Sequence, residues 1–340
     1  MKVASGSGRP VARPLESNQA ASAMQATKPP ALAARVALSA AAHARVRRVG
    51  DRRSVRLMHY AMLSPTLVLL LAFLALPAVY VGWLSLHAST YGQSASFVGL
   101  ANYAQIFGDP IFWRAFWNTF FLVNGIVYAE LVLGLGLAVL MTGPVPAKPL
   151  VFAVILAPYA ITESSGIVMW RYMLEPDVGM LTHLMERIGL GQLDWTTDPV
   201  QTLTLAGVIA VWHHLPFTFL ILYAALTTLP KEVLEAADID GASAWQKFRL
   251  VTLRLIMPAI LIAVLFRYIF AISTFAEVWL LTEGGPARLS EVLAIYLYRA
   301  TFKYHEFGVA AATGWFMLTM SLVIALPYLR KMYSEVTRGA

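Results

Sequence analysis

Six apolar blocks, each long enough to cross a bilayer, leave this chain few architectures. They run at 60–86, 118–141, 150–173, 203–227, 258–282 and 308–329, and a helical crossing takes about 20 predominantly apolar residues. In hydrocarbon each segment must satisfy its own backbone groups, so blocks of this kind fold as helices. Pro77, Pro158 and Pro216 lie inside them, which is tolerated where neighbouring helices satisfy the freed groups. Only 13% of the residues are charged, about half the share of a soluble domain. The expected fold is an all-α polytopic membrane protein with six transmembrane helices.

The basic residues set the expected orientation. The tail, 1–56, is rich in Arg, Ala, Ser and Pro, ends in Arg45, Arg47, Arg48, Arg52, Arg53 and Arg56, and has only Glu16 and Asp51 as acids. It is expected to be disordered, with the membrane domain covering 57–340. Six crossings put the tail on the same side as Lys148, as Lys231, Lys247, Arg249 and Arg254, and as Arg330, Lys331 and Arg338. The other side has fewer: Arg114, Arg171, Arg187, Arg288, Arg299 and Lys303. Both termini and the loop at 229–257 are therefore expected in the cytoplasm.

Several function classes fall away. The net charge of +7 is confined to the tail and short loops without interleaved aromatics, so no nucleic acid partner is expected. The absence of cysteine excludes thiolate catalysis and Cys-held metal. No GxxxxGK[ST] loop cradles ATP phosphates and no HExxH motif holds a metal. No catalytic residue, metal or cofactor is expected.

The loop between the fourth and fifth blocks carries the most local information. Leu229–Pro258 reads LPKEVLEAADIDGASAWQKFRLVTLRLIMP. Pro230 suits a first helical turn, and Glu232 and Glu235 lie near the positive end of that helix dipole. Gly241 stands where a helix ends in a left-handed residue. A second helix restarts with Trp245, Phe248, Thr252 and Leu255 on one face. Two short helices around a glycine turn make a docking element or an interfacial hairpin.

Ionisable residues near mid-depth add a second constellation: Glu130, Glu163, His213, His214 and Arg267. Each charge facing lipid would cost about 2.5–3.5 kcal/mol, so these groups are expected to face the bundle interior. Arg267 is expected to pair with Glu130 or Glu163, and the sequence leaves both open. Candidates for lining a solute path are Glu163, Trp212, His213, His214 and Arg267, with Glu277 and Trp279 nearer the outer end. The bland alternative is that the charges fix helix register and the histidines bond carbonyls freed by Pro216.

Taken in order, Glu235-Ala236-Ala237, Gly241 and Val251-Thr252-Leu253 resemble the EAA loop of binding-protein-dependent ABC importer permeases. Asp240-Gly241-Ala242, Gln246, Phe248 and Pro258 look like the sugar-transporting branch, although Arg254 stands where that family usually has proline. Gly99-Leu100-Ala101-Asn102-Tyr103, Asp109-Pro110, Asn118-Thr119, Leu281–Pro286 and Phe307-Gly308 extend the similarity over about 57–330. The resemblance implies that Glu235, Ala236, Ala237, Asp240, Gly241 and Ala242 couple to a separate cytoplasmic ABC ATPase. It further implies a second permease subunit beside this one, an extracytoplasmic solute-binding protein, and the cytoplasmic (inner) membrane of a bacterium or archaeon. The implied solute is a carbohydrate, or a related polyol or sugar phosphate. An ion- or proton-coupled carrier or channel is the alternative, and it leaves the ordered loop unexplained. An intramembrane hydrolase built on Ser164 or Ser165 lacks the GxSx setting.

Overall fold

The computed structural model describes residues 52–338, apart from 190 and 192. The expectation for residues 1–51 lies outside them. The chain divides into two units, Met1–Leu76 and Pro77–Ala340, and all sites discussed below belong to the second. Helix α1 (Arg52–Ser85) already includes Arg52, Arg53 and Arg56, which had been assigned to the tail. A two-residue antiparallel ladder follows, β1 (His87–Ala88) on β2 (Ser96–Phe97).

Helix α2 (Ala101–Gly108) leads into α3 (Pro110–Thr142), and later α7 (Pro199–Thr227) starts in the same manner. In each, an aspartate caps the amide two residues on and a proline takes the first turn. Asp109 accepts from Ile111 N at 2.8 Å and Asp198 from Val200 N at 2.8 Å. Both spans therefore begin earlier than the apolar blocks at 118 and 203 suggest, because capping and N1 proline start a helix before its apolar run. The amide of Val200 also holds the Asp198 carboxyl below its usual range.

Helices α3 and α7 form the centre of the second unit. Leu122 and Ile126 pack on Leu205, Ala206 and Ile209, while Ala138 and Met141 pack on Phe219 and Leu222. Small residues let the two backbones approach: a Cβ on Gly134 would stand 3.0 Å from Thr218. Helix α10 (Met257–Ala271) lies against α3 and against α13 (Phe307–Arg338) through Val123, Val127, Val264, Tyr268 and Met320.

Two expected crossings are not single rods. The block at 150–173 is α4 (Lys148–Leu156) with a 3₁₀ turn to Ala160, then α5 (Glu163–Met173) at 100° to it. Ile161 and Thr162 are extended there, directly after the turn containing Pro158. The block at 258–282 divides into α10 and α11 (Ala276–Thr282), separated by 272–275. Between α5 and α7 lies the short α6 (Met180–Arg187). Among the described residues four helices are long and apolar enough to cross a membrane, and two bent pairs, Lys148–Ala160 with Glu163–Met173 and Ala244–Leu255 with Met257–Ala271, raise the number of candidate spans to six. The chain is an all-helical membrane protein with four to six such spans.

Several motifs noted in the sequence build the connection from α11 to α12 (Leu293–Tyr298). Asn118 donates to the carbonyls of Leu289 and Glu291 at 2.8 and 2.9 Å, and Thr119 accepts from Leu293 N at 2.9 Å. Buried Glu291 binds Arg288 at 2.6 Å and Arg299 at 3.3 Å. Tyr296 donates to Asp109 at 2.8 Å, and burial together with that bond pushes its phenol up. Gly308 has no room for a side chain, because a Cβ would strike the carbonyl of His87.

Candidate functional site

Helix α8 (Lys231–Ile239) and helix α9 (Ala244–Leu255) form the hairpin at 229–257. Gly241 has φ +76°, the left-handed conformation expected at this turn. Its amide donates to Asp238 O at 3.1 Å, and that of Ala242 to Ala237 O at 3.0 Å, which closes α8 in a Schellman motif. Ser243 and Gln246 then open α9 with a reciprocal capping box. Lys247 Nζ reaches both carboxylate oxygens of Asp238, at 2.6 and 2.9 Å, and so ties the helices together.

The hairpin has an inner and an outer side. Ala237 is buried and Ala242 half-buried, whereas Glu235, Ala236, Asp240 and Gly241 are exposed. Ile239 and Trp245 are exposed beside them, at 86% and 66%. The single stripe expected from Trp245 to Leu255 is not kept. Residues Lys247–Thr252 form a π turn, which shifts the phase of an α-helical stripe. Phe248 and Thr252 are half-buried while Trp245 and Leu255 are exposed. With Arg254 in place of proline, α9 runs on to Leu255 and meets α10 at 65°.

The intramembrane candidates gather around a cavity of about 360 Å³. Its wall takes His213, His214 and Phe217 from α7, Arg267 and Phe270 from α10, and Glu277 from α11. Both helix breaks open onto it. Tyr159 comes from the 3₁₀ turn, Glu163 from the first residue of α5, and Ser273 and Thr274 from the gap between α10 and α11.

Arg267 takes Glu130 as its partner, not Glu163. Its Nη2 donates to Glu130 Oε1 at 2.7 Å and its Nε to Oε2, and both side chains are buried. Thr218 donates to the same carboxylate at 3.5 Å. This fork-to-fork pairing satisfies both charges away from water. It leaves Glu163 and Glu277 as carboxylates in the cavity without arginine. His213 Nδ1 is buried with no partner, so it does not bond a carbonyl freed by Pro216.

Trp212 and Trp279 are not among the residues lining the cavity. Trp212 packs edge-on against Trp170 and over Gly166. Trp279 stacks on Phe275 and carries Arg299 over its ring at 5.8 Å. Tyr159, Phe217, Phe270, Ser273 and Thr274 were not singled out from the sequence as path residues. The Ser-Thr pair interrupting an apolar block was the one signal available for any of them.

The cavity combines carboxylates, imidazoles, hydroxyls and aromatic faces. Such a set can hold a polyhydroxylated solute by hydrogen bonds and apolar contact.

Matches to known proteins cover most of the chain. A family model for the binding-protein-dependent transport system inner membrane component matches residues 33–331. The sulfoquinovosyl glycerol transport system permease protein SmoG of Agrobacterium fabrum is 31% identical over 278 residues, covering 81% of this chain and 90% of that protein. The trehalose/maltose transport system permease protein MalF of Thermococcus litoralis is 28% identical over 272 residues, covering 80% and 92%. The fold matches a chain of the crystallised bacterial alginate ABC transporter in complex with an alginate pentasaccharide-bound periplasmic protein. There the TM-score is 0.70 at 23% identity, covering 83% of this chain and 96% of that one.

Proposed function

The chain belongs to the family of binding-protein-dependent transport system inner membrane components, the non-catalytic permease subunits of ABC importers, and from this we propose that it carries a carbohydrate, or a related polyol or sugar phosphate, across the inner membrane. The observation that carries the proposal is the cavity in which Glu163, His213, His214 and Glu277 meet Tyr159, Phe217 and Phe270. Hydroxyls both donate and accept, so one solute hydroxyl can serve a carboxylate and an imidazole together. The relatives named for sulfoquinovosyl glycerol and for trehalose/maltose support the same solute class.

On this reading the hairpin at 229–257 docks on a cytoplasmic ATPase through the exposed residues Glu235, Ala236, Asp240 and Gly241, with Ala237 and Ala242 setting its turn. A second permease subunit completes the path, and an extracytoplasmic protein delivers the solute. Proteoliposomes holding the chain with these partners should take up a neutral disaccharide or polyol when ATP is supplied on the ATPase side, and should continue with a protonophore present. Uptake that follows the proton gradient and ignores ATP would instead establish a coupled carrier.

The same reading puts the hairpin on the ATPase side and the turn between β1 and β2 on the other. Ser94 lies in the exposed turn between β1 and β2, and Ala244 is exposed at the start of α9. In this cysteine-free chain, Ser94→Cys should react with an impermeant thiol reagent in intact cells. Ala244→Cys should react only after permeabilisation. The reverse pattern would put the hairpin on the side away from ATP.

A further inference from the structure

We propose that Glu163, His214 and Glu277 form a binding site for a divalent first-row metal ion, with zinc as its probe. One carboxylate oxygen from each glutamate and one ring nitrogen of His214 lie within 4.8 Å of one another. Zinc bonds to such donors at about 2.0–2.2 Å, so a tetrahedral site holds them about 3.4 Å apart. Closing the remaining gap takes side-chain rotation alone. Glu163 can supply it, being only half-buried and the first residue of a helix.

The second observation is Glu277 itself. It is 3% exposed and its Oε2 has no hydrogen-bond partner. Oε1 stands 4.0 Å from His214 Nε2, beyond hydrogen-bonding distance. Leaving a buried acceptor unsatisfied is costly, and the nearby guanidinium of Arg267 is committed to Glu130. A cation between the three groups would satisfy Glu277 and His214 together. Two carboxylates with one imidazole suit zinc, manganese(II) or iron(II) better than magnesium or calcium. Three protein donors leave a fourth position for water or a solute hydroxyl. The donors come from α5, α7 and α11, so the ion would tie the segments beyond both helix breaks to the central helix.

This site goes beyond the transport reading, and its test does not depend on the solute. The full-length chain, purified in lipid nanodiscs without a histidine tag and stripped with EDTA, is titrated with zinc chloride against a fluorescent zinc indicator. One saturable equivalent per chain is expected. Glu163→Gln should weaken it at least about tenfold; the amide has nearly the shape of the carboxylate, so the change leaves packing in place. His214→Gln should do the same, with an unchanged size-exclusion profile certifying the fold of each variant. His183→Gln, which alters an exposed histidine beside Glu186, should bind as the wild type does. Absence of saturable binding, equal binding by wild type and Glu163→Gln, or loss on His183→Gln would each overturn the site.

Discussion

Arg267→Leu should reduce the yield of monodisperse, membrane-extracted protein severely, and Glu130→Gln in the same chain should recover part of the loss. Glu130 is fully buried and its strongest contacts are the two donors of Arg267. Removing one partner of a buried pair costs about 3–5 kcal/mol, because the other charge stays behind uncompensated. Whole domains are stable by only about 5–15 kcal/mol. The double variant carries a neutral amide in place of that charge, still within reach of Thr218, which lies 3.5 Å away. Glu163→Gln should give no rescue, since Glu163 opens onto the cavity and takes no part in the pair. The measurement is size-exclusion yield with thermal unfolding of Arg267→Leu and of its doubles with Glu130→Gln and with Glu163→Gln. Equal rescue by both glutamine substitutions would show that the pair is not the source of the loss.

Glu235→Ala and Gly241→Asp should each abolish most solute-stimulated ATP hydrolysis while leaving the chain in the membrane. They act by different routes. Glu235 is exposed on α8 and makes no salt bridge within the described residues, so its carboxylate is available to a basic group on a partner. Truncating one member of a buried charged pair at an interface costs about 2–5 kcal/mol, or roughly 30- to 5,000-fold in affinity. Gly241 has open space around it, and a Cβ there would meet nothing within 4 Å. Its constraint is the sign of φ: at +76° a side chain is strained, and relieving that strain redirects α8 against α9. Co-purification with the ATPase and stimulated hydrolysis are the readouts. Full assembly and stimulation in both variants would remove the hairpin from the coupling role.

The apolar blocks were legible because membrane thickness imposes a length on them. The glycine turn was legible because only a left-handed residue closes α8 there. The helix breaks were not. Hydropathy averages over Ile161-Thr162 and over Ser273-Thr274, since these residues are uncharged and short, and Pro158 alone is equally consistent with a gentle kink. The partner of Arg267 was beyond reach for a different reason. Both glutamates sit at similar depth, and the choice depends on which faces of α3 and α5 turn inward. The π turn in α9 was hidden because Lys247–Thr252 contains no glycine or proline to mark a change of register. The starts of α3 and α7 were written in the sequence as Asp-Pro, and a search led by apolar runs passed over them.

The hairpin at 229–257 is joined to the cavity by very little chain. Helix α7 ends at Thr227, two residues before the hairpin's first, and α10 begins at Met257, immediately after Ile256. Those same two helices carry His213, His214 and Phe217 on one side and Arg267 and Phe270 on the other. From Thr227 to His214 is thirteen residues of α7, about 20 Å at helical rise. The hairpin therefore grips the cavity walls by their handles, as tongs are held. On the proposed reading, a push at its tip would be a torque on both jaws, and a solute wedged between the jaws would resist that torque at the tip.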